Sequence, residues 1–150
     1  MIATVAILSF SCKNRSQEKW RKDMEISTYY GGGMMPESKT VIIKDSSGTY
    51  IHWLQSKADT LSFTLSKQEL DGLLKEINVN DFRSIFSGGM GSVAYDKPTT
   101  SVKFKWGNQF HEVSIGATEG IKKGDADSFY QLYNYILSLA MKKTGQATAN

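Results

Sequence analysis

The chain has 150 residues, 40% of them hydrophobic and 22% charged, with two prolines and a single cysteine. This is the length of one domain, and the composition excludes a largely disordered chain or a collagen-like repeat. One cysteine excludes an intrachain disulfide framework and a Cys-rich metal cluster, and no apolar run approaches the roughly eighteen residues a membrane-spanning helix needs.

The net charge of +3 has an address. Residues 13–23 hold Lys13, Arg15, Lys19, Arg21 and Lys22 against Glu18 and Asp23, which is +3 in that stretch alone. From Met24 onward, thirteen Lys and Arg balance thirteen Asp and Glu. A nucleic-acid binder needs a basic excess on its folded surface, and the body offers none, so no nucleic-acid partner is expected.

Residues 2–10 (IATVAILSF) are uncharged and apolar, the size of a signal-peptide core and too short to span a bilayer. The string Leu8-Ser9-Phe10-Ser11-Cys12 that follows resembles the lipobox of bacterial lipoproteins. The resemblance implies cleavage before Cys12 and a diacylglycerol on its thiol. It departs from the usual pattern in the bulk of Phe10, in Leu8 lying one place further upstream, and in lacking a basic residue before the apolar run, which a start codon further upstream would supply. The competing reading makes residues 2–10 a first strand and Cys12 a buried thiol. The polar, charge-rich stretch from Lys13 to Asp23 speaks against it, because it would cut that strand off from its sheet. The expected organisation is a signal peptide over 1–11, a lipidated Cys12 with a basic tether over 12–23, one domain over 24–145 and a frayed tail over 146–150. The membrane is then a partner through the lipid on Cys12, and the localisation is the cell envelope.

The body reads in order as follows. Met24–Tyr30 is β-prone and stops at Gly31-Gly32-Gly33, with a loop over Gly31–Ser38. Thr40–Lys44 is a strand closed by Asp45-Ser46-Ser47-Gly48, followed by strands over Thr49–Gln55 and Thr60–Leu65. Ser66 opens a helix with capping-box spacing to Glu69, and Leu70, Leu73, Leu74 and Ile77 fall on one helical stripe. Phe82, Ile85 and Phe86 form a short turn expected to seal the core, and Ser87–Pro98 is a second glycine-rich loop. Thr99–Ile115 is a hairpin about Gly107-Asn108, a register that sets Phe104 against His111 and Lys103 against Glu112. The last element is a helix from about Ala126 to Lys143, with Phe129, Leu132, Tyr133, Ile136 and Leu139 as its stripe and Gly145 as its cap. The fold class is α+β, an antiparallel sheet of about six strands with two amphipathic helices in the order β-β-β-β-α-β-β-α. One stripe per helix leaves the far face of the sheet partly exposed.

Chemistry is sparse in this chain. The two histidines, His52 and His111, both fall in strands, no Gly-x-Ser-x-Gly elbow occurs, and carboxylates are scattered singly in turns and helix starts. No catalytic residue, no metal ligand and no cofactor is assigned. The residues that stand out are the two glycine loops, which share a Gly-Gly-Met core: Gly31, Gly32, Gly33, Met34 and Met35 in the first, and Gly88, Gly89, Met90 and the nearby Tyr95 in the second. Neither loop has the Gly-Lys-Ser/Thr of a phosphate cradle. Three readings are open: connections whose methionines pack over the sheet edge, an adaptable contact surface for a protein partner, or soft ligands for Cu(I).

The order of elements, carried by LSKQELDGLLKEI, NDFRSI, TSVKFKWGNQFHEVSI and DSFYQLYNYILSL, resembles the emfourin-type inhibitors of metalloproteases. It covers most of the body as a likeness of element order, with no residue carried over. The chain departs from that pattern in an additional hairpin around Ile51–Leu65 and in its long second loop. The expected function is a lipid-anchored, non-catalytic binding module of the envelope. The alternative the resemblance implies is a secreted or periplasmic protease inhibitor or immunity-type protein, and an envelope enzyme stands third.

Overall fold

The computed structural model describes residues 18–89 and 96–146. Six strands form one antiparallel sheet: β1 (Met24–Gly31), β2 (Glu37–Lys44), β3 (Ser47–Leu54), β4 (Lys57–Thr64), β6 (Thr99–Trp106) and β7 (Gln109–Ile115). Their spatial order is β4-β3-β2-β1-β6-β7, so the first strand lies at the centre. Two helices, α1 (Lys67–Val79) and α2 (Lys123–Thr144), cover one face. The α+β architecture and the element order agree with the reading of the sequence. A second, two-residue pairing of β5 (Gly88–Gly89) with β8 (Glu119–Gly120) was not foreseen.

Alternation divides the strands cleanly into two faces. On β1, Met24, Ile26 and Thr28 are buried, whereas Glu25, Ser27 and Tyr29 point the other way. The cross-strand register carries the inward set across the sheet through Val41, Ile43, Tyr50, Phe63, Val102, Phe104 and Val113, all buried. The α1 stripe Leu70, Leu73, Leu74 and Ile77 and the α2 stripe Phe129, Leu132, Tyr133 and Ile136 close over it. Gly48 sits directly opposite Phe63, and a Cβ there would run into the Phe63 ring, so only glycine lets that ring lie flat on β3. The opposite face is rich in Ser and Thr, with Trp53, Ile42 and Tyr29 set among them.

Local signals in the sequence translate directly into geometry. The Ser66 hydroxyl accepts from Glu69 N at 3.3 Å, and the Glu69 carboxylate accepts from Ser66 N at 2.8 Å, which is the reciprocal cap expected. Gly145 ends α2 at φ +69°. The β6–β7 register pairs Trp106 with Gln109, Phe104 with His111, Val102 with Val113 and Lys103 with Glu112, as the Gly107-Asn108 turn dictates.

Other boundaries move. Strand β2 begins at Glu37, not at Thr40, and β4 begins at Lys57, because the β3–β4 hairpin turns on only Gln55 and Ser56. Both turn residues take left-handed φ angles, +47° and +70°, without a glycine to announce them. Helix α2 starts at Lys123 and buries Ala140 and Met141, while Leu139 is only half-buried. In the turn after α1, Phe82 and Ile85 are buried as expected, but Phe86 is 68% exposed. Its ring stands edge-on to His111 at 5.1 Å on the rim of β7, outside the core.

Folded contacts also begin ahead of Met24. The Trp20 ring lies against the core, 6.2 Å from Phe104, and its backbone N–H donates to Asp71 Oδ1 at 3.0 Å. Arg83 stacks over Phe104 and Trp106 at 5.2 and 5.1 Å and reaches Glu18 at 3.2 Å. The end of the stretch expected as tether is thus held on the body.

Candidate functional site

At the end of the sheet where β1 finishes, β2 starts and β3 turns into β4, several glycine and apolar residues meet. The chain leaves β1 at Gly31 and turns tightly, with Met35 N donating to Gly32 O at 3.3 Å. Gly33 takes φ +60°, and a Cβ on it would lie 2.8 Å from Asp96 O and 3.0 Å from Lys97 O. That close approach needs glycine, and it brings the first glycine loop against the final residues of the second. On the other side, Gln55 N donates to Pro36 O at 3.1 Å, so the β3–β4 turn is tied to the same loop.

The result is a tip with apolar groups facing water. Met34 is 86% exposed, Met35 is also exposed, and Trp53 and Leu54 next to the bonded turn are 47% and 48% exposed. Methionines packed over the sheet edge would be covered; Met34 is not. Of the other candidates, Gly88 and Gly89 lie in the short β5 ribbon, exposed, with no described residue within reach of an added Cβ. Their pairing is with Gly120 and Glu119, not with Gly31–Met35. Cys12, Met90 and Tyr95 lie outside the described residues.

Beneath the tip, on the helix side, is a polar cluster that the reading of the sequence missed. The Glu37 carboxylate accepts from Lys39 Nζ at 3.0 Å and from His52 Nε2 at 2.7 Å. The Lys39 hydrogen bond holds the Glu37 carboxyl below its usual range against the opposing effect of partial burial, with His52 adding in the same direction. Tyr50, one step inward on β3, stacks with His52 at 6.3 Å, and burial pushes its phenol up. Tyr133 on α2 is shifted upward by burial and by the nearby Tyr30, Tyr50, Glu37 and Tyr130. The missed signal was alternation: Glu37 and Lys39 are two apart and share a face, but only if the strand begins at Glu37.

Each histidine has one ring nitrogen engaged. His52 Nε2 is held by Glu37, and His111 Nε2 donates to Ile85 O at 2.6 Å between the Phe82 and Phe86 rings. Among the described residues no Ser or Thr side chain hydrogen-bonds either imidazole. Among the same residues, no three His, Cys, Asp or Glu side chains come close enough together to hold a metal ion. A groove of about 840 Å³ lies elsewhere, between α1 and the residues near Glu18 and Arg83, away from the tip. What the tip offers is exposed apolar surface on a backbone held by hydrogen bonds. The chain matches no protein-family model and no curated protein.

Proposed function

We propose that this chain is a lipid-anchored cell-envelope domain that binds a protein partner through the Gly31–Met35 tip and catalyses nothing. The observation that supports this reading is the tip itself, where Gly33 lies against Asp96 and Lys97 while Met34 projects into water. An exposed, unbranched and polarizable side chain on a glycine-rich loop adapts to a partner's shape at little strain. Trp53, two residues before the turn residue bonded to Pro36, supplies the large, stiff anchor that protein interfaces favour. The anchor rests on the sequence around Cys12 and on the basic residues that follow it.

Two measurements test the two halves. Replacing Met34 and Met35 by serine, with Trp53→Ser as a second variant, is expected to leave the melting temperature unchanged and abolish capture of the envelope partner that the unaltered protein retains. Undiminished capture by both variants removes the tip from the interface. For the anchor, Cys12→Ser is expected to move the protein from the membrane to the soluble fraction, with mass spectrometry finding diacylglycerol on the unaltered chain. An unmodified Cys12 in the native host rejects it.

A further inference from the structure

The body is neutral in sum, but its lysines are not evenly placed. The sheet ends opposite the tip in a row on the open face that reads Lys44, Glu25, Lys105, Phe110 across four neighbouring strands. Lys22 joins them: Lys22, Lys44 and Lys105 line one shallow hollow with Asp23, Glu25 and Gly107. Two of the four acids nearby are already engaged. Asp23 is bonded by Arg21 at 3.1 Å, and Glu112 by Lys103 at 3.6 Å. Lys22, Lys44 and Lys105 are thereby left facing Glu25 and, in the adjoining turn, Asp45. At the end of the row Phe110 is 63% exposed, with Lys103 Nζ 4.7 Å from its ring centroid. An aromatic ring among lysines suits the boundary between lipid headgroups and acyl chains.

The chain reaches this end from Cys12. Five residues lie between Cys12 and Glu18, which is docked on the body, and the six steps that join them even fully extended span about 20 Å. We infer that the Lys22–Lys44–Lys105 hollow and Phe110 form a second, non-covalent contact with an anionic phospholipid surface, orienting the domain with its Gly31–Met35 tip away from the bilayer. The chain-length argument rests on the lipid anchor proposed above; the charge and aromatic arguments do not. Acyl chains alone fix the distance from a membrane and leave the orientation open. A basic row at the tethered end sets it. Each basic residue near an anionic surface is worth about 1 kcal/mol, or about five-fold in partitioning.

The test uses the chain from residue 12 with Cys12→Ser, which keeps every contact described above and carries no lipid. Partitioning is measured on vesicles of phosphatidylglycerol and phosphatidylcholine in equal parts and on pure phosphatidylcholine. Binding to the anionic vesicles is expected, with Lys44→Glu/Lys105→Glu weakening it by about 25-fold or more and Phe110→Ser weakening it by several-fold. Lys57→Glu/Lys123→Glu, which makes the same change in net charge away from the row, is expected to leave most of the binding in place. Circular dichroism melts confirm that each variant is folded. Equal loss in both lysine pairs shows that net charge alone acts and overturns the proposed surface, as does an unaltered chain that binds both vesicle types alike. Because the protein in this assay is unlipidated, its outcome is separate from whether Cys12 carries lipid.

Discussion

The helix side of the sheet at its Met24 end and the loop at its Gly31 end handle large apolar groups in opposite ways. At the Met24 end, Phe104 and Trp106 stack under the Arg83 guanidinium with Trp20 tilted against Phe104, and the chain running in from the N-terminal side is drawn into the packing. At the Gly31 end, Met34, Trp53 and Leu54 face solvent around a loop whose backbone is fixed by hydrogen bonds and by a glycine contact. The first end stabilises by removing apolar surface from water. The second leaves such surface in water on a backbone that is nevertheless held in place, which is what a contact surface requires.

The largest expected effect falls in the packed region. Leu73→Ala removes a fully buried side chain from between α1 and the sheet, and should cost about 2–5 kcal/mol in denaturant melts. Next comes the tip. Gly33→Ala forces a side chain into a left-handed backbone and against Asp96 O, which should cost about 1–3 kcal/mol and displace the loop. If Gly33→Ala proved as costly as Leu73→Ala, the tip would count as core and the contrast between the two ends would fail.

A smaller effect is expected at the clamp between the helices. Glu69 accepts from Ser66 N and pairs with Lys143 at 2.8 Å, and its carboxyl is held down at about 2, foremost by the Lys143 hydrogen bond. A carboxyl with a depressed folded-state pKa contributes stability above its unfolded value, here 4.5, and that contribution fades as pH falls toward 2. Glu69→Gln should therefore flatten the fall in melting temperature between pH 4.5 and about 2 while lowering stability only modestly at neutral pH, since the pair is partly solvent-exposed. An unchanged acid limb would place the titration elsewhere. The smallest effect is Lys103→Ala, on the open face opposite Glu112, at about 0.2–1 kcal/mol. A cost equal to that of Leu73→Ala would mean that the open face is packed against something.

The contrast between two hairpin turns explains which parts of the fold were legible in the sequence. Gly107-Asn108 carries its backbone requirement in its residue types, and every pair of the hairpin it closes followed. Gln55-Ser56 adopts left-handed angles that neither residue advertises, held by the bond from Gln55 N to Pro36 O and by full β3–β4 pairing. Its position was therefore hidden, and with it the strand residues Lys57–Asp59. The same holds for Glu37. Read as loop, it is a lone carboxylate; read as the first residue of β2, it faces Lys39 and His52.

The sequence by itself determined the α+β class, the order of elements, the α1 cap, the two helical stripes and the β6–β7 register, because each rests on residues close together in the chain or on strict periodicity. It also singled out both glycine loops. Only the tertiary structure decided that β1 lies at the centre of the sheet, that Phe86 turns out onto the rim of β7 while Phe82 goes in, and that Trp20 belongs to the packed body. The same is true of Gly33 meeting Asp96, of Trp53 and Leu54 joining Met34 at one tip, and of Lys22, Lys44 and Lys105 gathering at the other end. These are contacts between distant segments, and their energies depend on how sheet and helices fit together. No local pattern of residues encodes them.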